Sequence, residues 1–119
     1  MSKRILIVDD SSMMRKLIKR VLVNGGHQVI GEAKNGLEAL RLYKQLSPDL
    51  VTMDITMAEM DGLTAAKAIL TYDPFANILF LSNRDEEKFR GQAAELGGIR
   101  LINKHKTEEL LRAIGELPC

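Results

Sequence analysis

The sequence predicts an α/β domain in which five parallel strands form one sheet and each strand is followed by a helix. Three observations carry that expectation. Ile5-Leu6-Ile7-Val8, Leu50-Val51-Thr52-Met53 and Asn77-Ile78-Leu79-Phe80-Leu81 are short apolar runs that read as strands buried on both faces. Between such runs lie segments whose apolar residues recur at helical spacing. The strand–helix alternation repeats five times with no linker, internal repeat or low-complexity tract. Such an alternation requires right-handed crossovers and helices on both faces of the sheet.

Taken in order, Ile5–Val8 opens the sheet, and Ser11 or Ser12 caps a helix with Met14, Leu17, Ile18, Val21 and Leu22 on one face. Asn24-Gly25-Gly26 ends that helix, because Asn and Gly tolerate the left-handed cap conformation. Gln28–Ala33 is a more polar strand, suited to a sheet edge. Asn35 opens the second helix, whose inward face is Leu37, Leu40, Leu42, Tyr43 and Leu46. Ser47-Pro48-Asp49 signals a turn before the third strand, which ends at Asp54. An Ala-rich helix from Leu63 to Leu70 closes at Tyr72-Asp73-Pro74. The fourth strand ends in Ser82-Asn83. A weakly apolar fourth helix covers Asp85 to Leu96 and stops at Gly97-Gly98. Ile99 to Ile102 forms the fifth strand, and Thr107 caps a last helix with Leu110, Leu111 and Ile114 inward.

At 119 residues the chain is expected to be one domain, residues 1–119, large enough to bury a core without disulfides or a structural metal. Its 17 basic and 16 acidic residues leave a formal charge of +1, so bulk charge favours neither nucleic acid nor membrane as a partner. Arg15, Lys16, Lys19 and Arg20 interleave with apolar positions as one solvated helix face would. The one cysteine is the terminal Cys119, and no Cys/His cluster suggests zinc, which fits a reducing cytoplasm. Ile5 to Val8 is too short for a signal peptide, and no segment has the length of a membrane span.

The chemistry gathers at strand ends, where open α/β sheets place their ligands. Asp9 and Asp10 follow the first strand and Asp54 follows the third. If those strands are neighbours, three carboxylates converge, and like charges so close favour a cation among them. Oxygen ligands with room for water and phosphate suit Mg²⁺. Ser82 after the fourth strand and Lys104 after the fifth add a hydroxyl and an ammonium, which suit a phosphoryl group. Each of these residues alone reads as a turn or a solvated charge; together they are harder to dismiss.

Three motifs, ILIVDDS (Ile5 to Ser11), PDLVTMD (Pro48 to Asp54) and MDG (Met60 to Gly62), make the chain resemble a response-regulator receiver domain, the phosphoacceptor module of two-component signalling. The resemblance covers Lys3 to Leu117 and implies the flavodoxin-like, doubly wound fold with strand order 2-1-3-4-5. It implies that Asp54 is the phosphoacceptor and that Asp10 binds Mg²⁺ directly. Asp9 would help through water, and the backbone carbonyl of Thr56 would supply a further ligand. Ser82 matches the hydroxyl that contacts the phosphoryl oxygen, and Lys104 the lysine that pairs with Asp54 at rest and with phosphate afterwards. Thr56 and Arg84 would flank the path of an attacking water.

Four positions depart from the family pattern. Ala58 replaces the proline of MPxMDG, Asn83 stands where Ala is usual, Leu101 where an aromatic switch is frequent, and His105 where proline follows the lysine. Without that proline the Lys104–His105 bond is expected to be trans, since a cis bond before other residues costs about 2.5–4 kcal/mol. The expectation is a stand-alone receiver phosphorylated by a histidine kinase or a phosphotransfer protein. It would signal to a downstream protein through its fourth helix, fifth strand and fifth helix. It is expected to be cytoplasmic, a monomer or weak dimer, without direct nucleic-acid contact or membrane insertion, and not an enzyme. One alternative is an interaction module that keeps the acids without using phosphorylation. Another is a Mg²⁺-dependent phosphohydrolase with an aspartyl intermediate, disfavoured because Thr56 stands where haloacid-dehalogenase-type enzymes carry a second Asp. A flavodoxin-like small-molecule binder is also disfavoured, because no Gly- or Ser/Thr-rich phosphate loop follows the first strand of this chain.

Overall fold

The strands β1 (Arg4–Val8), β2 (Gln28–Ala33), β3 (Leu50–Asp54), β4 (Ile78–Ser82) and β5 (Arg100–Asn103) pair in parallel in the order β2-β1-β3-β4-β5. The computed structural model describes residues 2–55, 57, 60–82, 91, 95, 100–103 and 106–117. Helices α1 (Ser12–Asn24), α2 (Gly36–Leu46) and α3 (Gly62–Tyr72) and a C-terminal helix (Thr107–Gly115) flank the sheet. The expected fourth helix over 85–96, with its Gly97-Gly98 stop and residue Ile99, lies largely outside the described residues.

Alternation along each strand divides the core into two layers. Leu6, Val8, Val51, Met53, Ile78 and Phe80 face α2 and α3, packing on Ala39, Tyr43, Ala65, Ala66 and Ile69. Ile5, Ile7, Leu50, Leu79, Leu81 and Ile102 face α1 and the C-terminal helix, on Ile18, Leu22, Leu110, Ala113 and Ile114. The central strands are apolar on both faces because both are covered. β2 lies at one edge, as its polar content predicts.

Local sequence sets the helix ends. Ser11 caps α1 by accepting from the Met14 amide at 3.2 Å, and Asn35 caps α2 through the Glu38 amide at 2.8 Å. At the C-terminal helix the expectation fails: Lys106 occupies the cap position without a side-chain bond, and Thr107 is the first helical residue. β5 reaches one residue further than expected, to Asn103, which pairs with Ser82. Two apolar residues also face the wrong way for the prediction. Leu17 and Leu37 are exposed, Leu37 at 58%, while small Ala39 and Gly36 are buried in α2 instead.

The end of the sheet away from the strand carboxyl termini is laced by side chains. The Arg4 guanidinium donates to the carbonyls of Ser47 and Leu46, each at 3.0 Å, closing the end of α2. The Tyr43 hydroxyl donates to Asp73 at 2.7 Å, tying α2 to the end of α3. Burial first, and then the Asp73 carboxylate, push the Tyr43 phenol well above its ordinary pKa, so it stays a donor.

Thr52 is buried in β3 with its hydroxyl unpartnered among the described residues, flanked in register by Ile7 and Leu79. An orphaned buried hydroxyl costs about 1–3 kcal/mol. Thr52→Val keeps the shape and removes the orphan, so stability should rise by about 1 kcal/mol and Tm by a few degrees. A lower Tm on thermal denaturation would mean the hydroxyl has a partner in solution.

Candidate functional site

The register of the two central strands builds the site. Val8 lies opposite Met53, so Asp9 and Asp54 leave the sheet side by side at its carboxyl end. The Asp9 amide still bonds to the Ala33 carbonyl at 3.0 Å, which extends the β1–β2 pairing by one residue. Asp9 is fully buried, Asp54 is 4% exposed, and Asp10, one residue further on, is exposed. One carboxylate oxygen from each of these three residues lies within 4.8 Å of the others. The sequence therefore named the acids that the fold brings together.

Asp9 is held by its neighbours. Its carboxylate accepts from the Ser11 amide at 2.9 Å, which turns the chain into α1. Its carbonyl accepts from Nη1 of Arg15 at 2.6 Å. Ser82, 2% exposed, ends β4 one residue past the Asp54–Leu81 pair. Its partner in register, Asn103, directly precedes Lys104. Lys104 and Thr56 lie outside the described residues, as do Ala58, Asn83, Arg84 and His105, and with them the geometry of the Lys104–His105 bond. Leu101 is half-buried and packs on the core layer beneath α2 and α3.

Gly62 sets the other wall. Its amide donates to the Ile55 carbonyl at 3.1 Å, folding the start of α3 back onto the end of β3. A Cβ at this position would lie 2.8 Å from Ile55 Cα and closer still to the Asp54 carbonyl oxygen. Only glycine lets α3 approach this nearly. Asp61 caps the same helix by accepting from the Thr64 amide at 2.8 Å.

Sequence reasoning missed Arg15, read as part of a solvated basic face. Its side chain is only 18% exposed and pairs through Nε with Glu32 on β2 at 3.3 Å. The one available signal was its place in the first turns of the helix that follows the acid pair.

Three oxygen donors, two buried and one open to solvent, could serve a hard cation that keeps some water. Next to them, Ser82 offers a hydroxyl at the same end of the sheet. Together the sheet order and the acid cluster define a class: the chain belongs to the response regulator receiver domain family, whose model matches residues 5–115. Within that family it is a receiver of CheY type. It is 45% identical over 117 residues to the chemotaxis protein CheY of Bacillus subtilis (strain 168), covering 98% of each chain. It is also 45% identical over 104 residues to CheY of Thermotoga maritima, covering 87% of each. Among solved structures, the CheX-CheY-BeF3-Mg+2 complex from Borrelia burgdorferi superposes with a TM-score of 0.86 at 29% identity, over 93% of this chain and 85% of that one.

Proposed function

We propose that this domain is the phosphoacceptor switch of a cytoplasmic two-component phosphorelay. The observation that carries the reading is the convergence of Asp9, Asp10 and Asp54 at the carboxyl end of the sheet. In the transfer, an oxygen of the Asp54 carboxylate attacks phosphorus on a phosphohistidine of a histidine kinase or phosphotransfer protein. The P–O bond forms as the P–N bond breaks, and the imidazole leaves with the electron pair. Asp10, Asp54 and the Thr56 carbonyl would hold Mg²⁺, with Asp9 acting through water. When bound, that ion offsets the negative charge that otherwise repels an incoming phosphoryl group.

The remaining work falls to the chain itself. Burial keeps the Asp54 carboxylate out of bulk solvent and fixes its direction, which favours one approach for the donor. Ser82 would hydrogen-bond a phosphoryl oxygen, and the Lys104 ammonium would pair with it. Moving to meet the phosphoryl group, Ser82 would alter the surface on the side of β5 and the C-terminal helix. A downstream protein would read that surface, while Leu101 stays packed on the core. The BeF3 and Mg²⁺ in the Borrelia CheY complex support the reading, as does its CheX partner. On this account the domain is a signalling switch and not an enzyme. No helix among the described residues is long and apolar enough to cross a membrane.

Incubation with acetyl phosphate and Mg²⁺ should add a single phosphoryl group, seen by intact mass, and EDTA should prevent it. Asp10→Ala should weaken Mg²⁺ binding about tenfold or more, since it removes a directly ligating charge. Equal affinity by calorimetry for wild type and variant would place the metal elsewhere.

A further inference from the structure

The Arg15 guanidinium makes two hydrogen bonds in different directions. Nη1 donates to the backbone carbonyl of Asp9 at 2.6 Å, and Nε donates to Oε1 of Glu32 at 3.3 Å. Glu32 stands on β2 next to Ala33, whose carbonyl accepts the Asp9 amide at 3.0 Å. Helix α1, the acid-bearing turn and the edge strand are thus joined through one side chain. The Asp9 carbonyl belongs to the same rigid peptide plane as the Asp10 nitrogen. Whatever aims that carbonyl therefore also aims the Cα of Asp10. Asp10 is exposed, so core packing does little to set its direction.

We propose that Arg15 is a positioning residue for the carboxylate cluster, oriented by Glu32, and that it holds the Asp9–Asp10 peptide in the plane from which Asp10 reaches the cation. The inference rests on the Mg²⁺ reading of the site and adds a residue to it. A planar fork with several donors can serve a carbonyl and a carboxylate together, whereas the single ammonium of lysine lacks that fixed geometry. Charge acts in the opposite sense: a cation near three acids disfavours a second cation, and Glu32 offsets it. The decisive variant must therefore keep the charge.

Arg15→Lys does so. In the full chain without metal, amide hydrogen exchange at Ser11, whose N–H bonds to the Asp9 carboxylate, should quicken severalfold. Exchange at Ile18 and Leu22 in the same helix should not change, nor should Tm beyond a degree or two. Mg²⁺ affinity by calorimetry should fall about tenfold, in the range of residues that orient metal ligands. In acetyl-phosphate labelling, the Mg²⁺ concentration for half-maximal rate should rise while the rate at saturating Mg²⁺ holds. Unchanged Ser11 exchange, or faster exchange with wild-type Mg²⁺ affinity, would overturn the proposal. A fall in Tm with uniformly faster exchange along α1 would also overturn it, by reducing Arg15 to a helix-packing residue. Failure of the wild type itself to bind Mg²⁺ would instead overturn the reading of the site, and the Ser11 comparison would still decide whether Arg15 holds the turn.

Discussion

Asp54→Asn is expected to leave a folded protein that takes up no phosphate from acetyl phosphate or from a kinase. The amide has nearly the shape of the carboxylate, so the buried position at the end of β3 should stay filled. What would be lost is the proposed nucleophile, because an amide oxygen at neutral pH lacks the charge and basicity to attack phosphorus. A second loss follows from the cluster, since one of three converging carboxylates disappears and the proposed cation site would be weakened. Removing a like charge from a crowded site should also leave thermal stability equal or slightly higher. The measurement is intact mass after incubation, beside a thermal melt. Labelling at the wild-type level in the variant would show that another residue accepts the phosphate.

The second large effect is on folding. Gly62→Ala places a methyl group against the backbone of Asp54 and Ile55, with Ile55 Cα 2.8 Å away. Backbone cannot swing aside as a flexible side chain can, so either α3 must withdraw or the end of β3 must bend. Overpacking of this kind costs about 1–3 kcal/mol, and contact with backbone puts it at the upper end. That is a sizeable share of a typical domain stability of about 5–15 kcal/mol. Tm should drop by roughly 10 °C. The bend would also move Asp54, so phosphate labelling should slow even below the melting range. Gly115→Ala is the control: nothing lies within 4 Å of its Cβ, and alanine in a helix is neutral or better. Equal melting of the two variants would mean that the approach of α3 to β3 is looser than the distances indicate.

Much of this architecture was legible in the sequence, for physical reasons that differ by element. Ile5–Val8 and Leu50–Met53 were readable because a strand covered on both faces admits little but apolar side chains. β2 was found to the residue, since its polar content and the bounding glycines and Asn mark an edge strand clearly. Helix faces were less secure. Leu17 and Leu37 sit at apolar spacing yet point outward, whereas Ala39 is buried where α2 runs close to the sheet. Periodicity records which residues are apolar, not how near the helix comes. The acids of the site were legible because they stand at strand ends, where the chain itself aligns them. Arg15 was not, since its partners Asp9 and Glu32 meet it only through the turn and the neighbouring strand. Likewise, the MDG motif marked Gly62, but its reason, the closeness of the Asp54 carbonyl, exists only in three dimensions.

The sheet order has a consequence for how the chain comes together as a ribosome makes it. β1 is made first but lies between β2 and β3, so the strands it pairs with follow it directly in the chain. Once synthesis passes Asp54, three adjacent strands exist, and all three acids of the cluster are in place before Ser82 has been translated. The fully buried part of the core layer under α2 and α3 can close once β4 arrives, with Leu101 of β5 added at its border later. The opposite layer waits longer, because Leu110, Ala113 and Ile114 come from the last helix. The nascent domain therefore carries an apolar face, Ile5, Ile7, Leu50 and Leu79, that α1 covers only in part until the final turns emerge. That interval is when a chaperone would have most to cover.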